Sequence, residues 1–245
     1  MFEILRLIQE RQSTRMPYDP GRPVANKDLR QILEAGRWAP TPHNMQNFEI
    51  IVVDDKKLLE SLGSIKYPIS NSFIEENYQN LSFSEEELLI KKAGLLGTFF
   101  PPALRTPGVK MDEASYEEVR SSWRRAIETS PVLGVVVYNP KKRAPDSEGD
   151  FLGIIGLGCV LENMWLMAHS LGISFQVMSI FNRDPAEKEV KRVLDIPEYL
   201  KIAFGFRLGY ALLTPTKYLR VRREVEDFTH HNRFGGKLDW TPSRK

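Results

Sequence analysis

Apolar residues recur at helical spacing along some stretches of this chain and run continuously along others, and the two patterns divide it into elements. Over Phe2 to Arg11, Ile4, Leu5 and Ile8 form one stripe among charges, which predicts an amphipathic helix. A turn rich in proline and glycine follows, Pro17 to Gly21. Asn26 is placed to cap a second helix over Lys27 to Trp38, which Pro40 and Pro42 stop. Phe48 to Val53 is β-branched and bounded by breakers and charges, so it reads as a strand. A short helix is expected over Lys56 to Leu62. Pro131 to Tyr138 is a continuous apolar run and predicts a buried strand. Phe151 to Leu171 predicts a long helix, with Ile154, Leu157, Leu161, Met164, Trp165, Ala168 and Leu171 on one face. Strands follow over Ile173 to Ile180 and Leu200 to Tyr210. Between them Asp184 at N-cap, Pro185 at N1 and Glu187 at N3 predict a helix start.

The stretch from 63 to about 128 has no dominant period. It holds two predicted helices, near Glu85–Ala93 and Glu113–Glu128, with Gly97 to Pro102 and Pro107-Gly108 between them. A long irregular segment of this kind is either a lid over a site or a surface excursion. Phe99, Phe100 and Trp123 are its aromatic candidates for a lid, with ordinary packing the other reading. The residues after Leu213 are basic and poor in apolar content: Lys217, Arg220, Arg222, Arg223, then His230-His231-Asn232-Arg233. Such a tail cannot pack by itself, so it must lie on its own domain or on a neighbour.

Length and charge narrow the function classes. The 245 residues suffice for one large domain with a sizeable core, carrying an insert at about 63–128 and an extension at about 214–245. A net charge of +2 lacks the basic excess of a general nucleic-acid binder. The single cysteine, Cys159, precludes an internal disulfide and reads as a small core residue. Charges interrupt the apolar N-terminus, with no cleavage signal behind it, and Glu162, Asn163 and His169 make the apolar stretch Phe151–Ile173 a poor membrane span. These features together give the expectation of a cytoplasmic protein without a membrane or nucleic-acid partner. Gly153, Gly156 and Gly158 on the long helix point to close approach of a neighbour, either within the chain or in a second subunit.

Two segments carry candidate chemistry. Arg11-Gln12-Ser13-Thr14-Arg15 sets two guanidiniums and two hydroxyls behind a helix, a donor set suited to a phosphate monoester. Trp38 to Phe48, between a helix and a strand, is rich in amide and hydroxyl groups that could face a flat heterocycle; it contains Pro40, Thr41, Pro42, His43, Asn44 and Gln46. In combination these stretches resemble the nitroreductase family of FMN-dependent oxidoreductases. That family typically opens with Arg-x-Ser-x-Arg, followed by an Ala-Pro-Ser-x-x-Asn-x-Gln-Pro loop leading into a strand. Glu162 to Ala168 with Ser170 to Ile173, Gly205 to Tyr210, and Arg220 to Asp227 extend the resemblance in the same order. It covers about residues 2–63 and 129–234.

The resemblance implies an α+β fold with a central mixed sheet flanked by helices on both sides. It also implies a homodimer with FMN at the interface and the C-terminal extension wrapped over the partner. Arg11, Ser13, Arg15, Arg220 and Arg222 would gather at the FMN phosphate, with Gln12 near the ribityl chain or ring edge. Pro40 to Gln46 would serve the pyrimidine edge, with Asn44 foremost, and Met178 and Ser179 would face N5. The implied reaction passes hydride from NADH or NADPH through flavin N5 to a small acceptor such as a nitroaromatic or quinone, by a ping-pong course that needs no catalytic side chain. Reductive dehalogenation, an oxidase reaction that consumes the flavin, or flavin binding without turnover are the alternatives on the same scaffold. Three departures stand out: Thr41 where serine is usual, Asn47 where proline is usual, and Ser179-Ile180 where several members carry Glu-Gly. His43 reads as a turn residue ahead of a proton donor. His230-His231 lacks the spacing of a metal site.

Overall fold

A computed structural model describes residues 3–145, 147, 149–213 and 219–237, the side chain of Phe99 excepted. Lys217 of the basic tail and the end of the extension from 238 onward lie outside the described residues. In chain order the elements are α1 (Glu3–Glu10), α2 (Asn26–Arg37), β1 (Glu49–Val53), α3 (Lys56–Gly63), α4 (Asn71–Asn77), β2 (Ser82–Phe83), α5 (Glu85–Lys91), β3 (Leu95–Leu96), α6 (Pro102–Arg105), α7 (Glu113–Glu128), β4 (Val132–Tyr138), α8 (Phe151–Ser170), β5 (Ser174–Met178), α9 (Ala186–Val193) and β6 (Lys201–Gly209). By internal contacts the chain separates into two compact units, Met1–Pro68 with Glu117–Pro215, and Ile69–Tyr116 with Thr216–Lys245.

The first unit is a four-stranded sheet in the order β1-β4-β6-β5, each neighbouring pair antiparallel. Among the described residues the parallel pairing is β2 with β3, in the second unit. The alternation of β4 explains why a nearly all-apolar strand is required there. Leu133, Val135 and Val137 point into one core with Leu59, Leu62, Ile127, Ala186 and Val190 from α3, α7 and α9. Val132 and Val136 point into the other, with Ile32 of α2 and Leu157, Val160, Met164 and Ala168 of α8. A sheet with helices on both faces must be apolar on both. Gly134 gives up its side-chain volume to the Phe206 ring, and Phe206 stacks on Phe175, which stacks on Trp165.

Several element starts differ from the sequence reading for local reasons. Asn26 is the first residue of α2, and Ala25 precedes it without a side-chain cap. Helix α9 starts at Ala186 rather than at Pro185. Glu187 does not turn back to cap it: its carboxylate accepts from the Ile202 N–H at 3.0 Å and pairs with Lys191 at 3.6 Å, tying α9 to β6. On α8 the buried stripe is Gly156, Leu157, Val160, Met164 and Ala168. Ile154, expected on that face, is 49% exposed, and Phe151 and Ile155 are exposed beside it. Helix α8 is also long and apolar enough to cross a membrane. Cys159 is half-buried against the α2–α8 core.

In the second unit a capping box starts α5, the Ser84 hydroxyl accepting from the Glu87 N–H while the Glu87 carboxylate accepts from the Ser84 N–H. The buried Gln79 amide donates to the carbonyls of Ala103 and Val109 at 3.0 and 2.8 Å and so holds the irregular 97–111 stretch together. Tyr78 and Phe100 meet edge to face, and Phe73 packs on Tyr78. Trp123 belongs to the first unit and packs on Tyr67 there.

Candidate functional site

The Arg11–Arg15 segment leaves α1 and runs along the open edge of β5. The Thr14 N–H donates to the Phe175 carbonyl at 3.0 Å, and the buried Tyr18 hydroxyl donates to the Thr14 carbonyl at 3.0 Å. With Thr14 turned inward, Arg15 beside it is exposed and Ser13 is half-buried. The Gln12 carbonyl accepts from the Trp165 indole N–H at 3.3 Å. Arg11 lies 4.4 Å over the Trp165 ring, with its Nε 3.1 Å from Glu162. The strap is thus fixed at several points by β5 and α8. A groove of about 490 Å³ opens beside it, lined by Gln12, Thr14, Trp165, Phe175, Arg22 and Tyr210 among others. Arg22 stacks on Tyr210, its guanidinium carbon 3.5 Å from the ring centre.

Below the strap sits a residue that the reading of the sequence passed over. Arg207 of β6 is 1% exposed and, among the described residues, has no carboxylate partner. Its guanidinium donates to the Met16 carbonyl at 2.6 Å, to Gln176 Oε1 at 2.8 Å and to the Ala126 carbonyl at 3.3 Å, and it lies 3.9 Å from the Tyr18 ring centre. Burial lowers its pKa and raises that of Tyr18, each partly offset by the other. A lone cation in the otherwise apolar run Ile202–Tyr210 is the signal that could have exposed this role.

The second predicted segment is a tight loop at the entry to β1. Pro42–Asn44 forms a short 3-10 turn, and His43, Asn44 and Gln46 all take left-handed backbone angles, with φ of 48°, 53° and 46°. Pro40, Asn44 and Gln46 are exposed, and Thr41 and Pro42 are half-buried. The Thr41 hydroxyl accepts from the Gln46 N–H at 3.2 Å, and Asn44 Oδ1 accepts from the Gln46 amide at 3.2 Å. At the end of β5, Met178 is buried and Ser179 is exposed. Arg220 and Arg222 are exposed residues of the second unit; Arg222 donates to the Val221 carbonyl at 2.7 Å. Among the described residues there is no group of histidine, cysteine and carboxylate side chains that could hold a metal.

The family model named Nitroreductase family matches residues 8–210, a span that includes most of the strap, the loop and the central helix. The chain belongs to the nitroreductase family. A curated relative from Staphylococcus aureus (strain USA300), an NADPH-dependent oxidoreductase, is 20% identical over 231 residues, which is 94% of this chain and 74% of that one. A nitroreductase with bound FMN from Desulfitobacterium hafniense DCB-2 shares the fold with a TM-score of 0.58 at 22% identity, covering 95% of this chain and 100% of that one. Another with bound FMN, from Bacteroides fragilis NCTC 9343, gives a TM-score of 0.52 at 24% identity, covering 89% and 95%. The fold class is therefore that of the nitroreductases, an α+β chain with helices on both faces of its sheet.

Proposed function

We propose that this nitroreductase-family chain is an FMN-dependent NAD(P)H oxidoreductase that reduces a small acceptor, a nitroaromatic or a quinone, in a ping-pong cycle. The observation that carries the reading is the strap: the segment bearing Arg11, Ser13 and Arg15 is tied through the Thr14 backbone to the edge of β5, the strand that ends at Met178. FMN bound in the D. hafniense and B. fragilis proteins, and the name of the S. aureus relative, support the cofactor and the reductant. The donor set fits the cofactor. A phosphate dianion requires paired charge and hydrogen bonds, which Arg11, Ser13 and Arg15 can supply. The resemblance alone assigns Arg220 and Arg222 to the same anion. Pro40, Thr41, Pro42, Asn44 and Gln46 supply hydrogen bonds and shape to the ring, Asn44 at its pyrimidine edge. Gln12 serves the ribityl chain, and the backbone at Met178 and Ser179 faces N5.

Bound FMN would supply hydride and electron transfer between nicotinamide and acceptor. The chain's own part is to hold the cofactor, orient it and place donors where negative charge develops on the ring. The active form is a homodimer in the cytoplasm. Ile4, Leu5 and Ile8 of α1 and Phe151, Ile154 and Ile155 of α8 are all more than 40% exposed, and α1 packs on α8, so they form an apolar surface suited to a second copy.

Absorption spectroscopy of the freshly purified protein, with chromatography of whatever is released on denaturation, tests the cofactor. A yellow protein that releases FMN, and whose colour bleaches anaerobically with NADPH or NADH, is expected. A colourless protein that also fails to take up added FMN sinks the proposal. Arg15→Ala should weaken FMN binding by about 10- to 100-fold, read from flavin fluorescence, because it removes a charge-assisted contact to phosphate.

A further inference from the structure

The loop at the entry to β1 holds three left-handed non-glycine residues within four positions, His43, Asn44 and Gln46. That backbone region is unfavourable for residues bearing a Cβ, least so for asparagine. Such a conformation persists only where the surroundings over-determine it. Some of the restraint is internal: the Asn44 N–H donates to the Thr41 carbonyl at 3.0 Å and the Met45 N–H to the Pro42 carbonyl at 2.9 Å. The rest comes from the turn that follows β4, about ninety residues further along the chain.

Two side chains make that connection. The Asn47 amide donates to the carbonyls of Asn139 and Lys142 at 2.9 and 3.0 Å, and its Oδ1 accepts from the Asn139 N–H at 3.1 Å. In the opposite direction, Lys142 Nζ donates to the Met45 carbonyl at 3.1 Å. The 139–142 turn is itself fixed, the Lys142 N–H donating to the Asn139 carbonyl at 3.1 Å and the Lys141 N–H to Asn139 Oδ1 at 2.9 Å. Because β1 and β4 pair antiparallel with Glu49 opposite Val137, the loop and the turn meet at one end of the sheet. A carboxamide is required at 47, since the turn presents one donor and two acceptors. Proline offers neither group.

From this we propose that Asn47, seconded by Lys142, is the positioning residue that holds the Pro40–Gln46 loop in its left-handed geometry ready for the flavin ring. The proposal rests on the FMN reading above and adds to it a residue outside the loop's own donors. A loop ordered before the cofactor arrives avoids the entropy cost of ordering at binding, and its donors keep a fixed distance from the ring, which tunes the potential.

The test compares wild type with Asn47→Ala, Asn47→Asp and Lys142→Met. It reads FMN affinity of apoprotein by fluorescence, the flavin midpoint potential, and amide exchange of segment 41–48 without FMN. Asn47→Ala should weaken FMN by about tenfold, the scale of one or two lost hydrogen bonds, with a displaced potential and faster exchange in the segment. Asn47→Asp should do at least as much harm, because a carboxylate would face two carbonyls. Lys142→Met, an exposed site, should move the same three readouts in the same direction by a smaller amount. If Asn47→Ala does not fold, Lys142→Met decides alone. Wild-type affinity, potential and exchange in the folded variants would overturn the proposal, as would lower thermal stability with affinity and potential unchanged. Failure of wild type itself to take up FMN would instead remove the cofactor reading, and this proposal with it.

Discussion

Arg207 illustrates how one buried side chain can serve a distant segment. A guanidinium without a carboxylate partner is costly to bury, and here three neutral acceptors and the face of Tyr18 offset that cost. Arg207→Met should lower unfolding stability by about 2 kcal/mol or more in urea titrations, since it strands the Met16 and Ala126 carbonyls and Gln176 Oε1 in the interior. Lysine at 207 cannot reach all three acceptors and should rescue only in part. Tyr18 and Tyr67 give a second prediction. Burial raises both phenol pKa values above the ordinary 10.0. Above pH 10 the unfolded chain then releases protons that the folded chain retains, so their contribution to stability is present below pH 10 and is lost as the pH rises above it. Thermal melts from pH 8 to 11 should show this fall. Tyr67→Phe should flatten it, at the cost of the phenol's hydrogen bond to the Leu62 carbonyl at 2.9 Å.

At the scale of elements, periodicity located the strands and helices of the first unit to within a residue or two, because the strands and the helices packed on the sheet bury apolar faces, while α1 keeps a regular apolar stripe that stays exposed. Helix α4 was not legible: it is seven residues long and buries Ile74, too little pattern to stand out. The α2–α8 packing depended on a glycine whose importance the sequence did not signal. A Cβ on Gly36 would lie 2.9 Å from Met164 Cγ, so the two helices approach closely at that point. Gly36→Val should destabilise the fold by about 1–3 kcal/mol through overpacking, measurable by chemical denaturation. On α8 itself, a Cβ at Gly153 or Gly158 would meet nothing within 4 Å. Packing among the described residues therefore does not account for those two glycines.

At the scale of the whole molecule, that open glycine-bearing surface and the exposed apolar residues of α1 and α8 lead to a prediction about assembly. Ile155→Glu should shift the protein toward monomer in sedimentation velocity, because a carboxylate would have to be desolvated in an apolar interface. Equal sedimentation of the variant and wild type as dimers would place the interface elsewhere. By itself the sequence determined the family, the order of the first unit's elements, and the two donor-rich segments proposed above for the cofactor. Those features rest on residue types at short spacing, which a linear reading captures. Tertiary structure decided which partners fix those segments: Thr14 on Phe175, Arg11 on Glu162 and Trp165, Arg207 beneath Met16, and Asn47 on the turn after β4. Each joins positions far apart in the chain, and such pairing follows from strand register and helix packing, which no local pattern encodes.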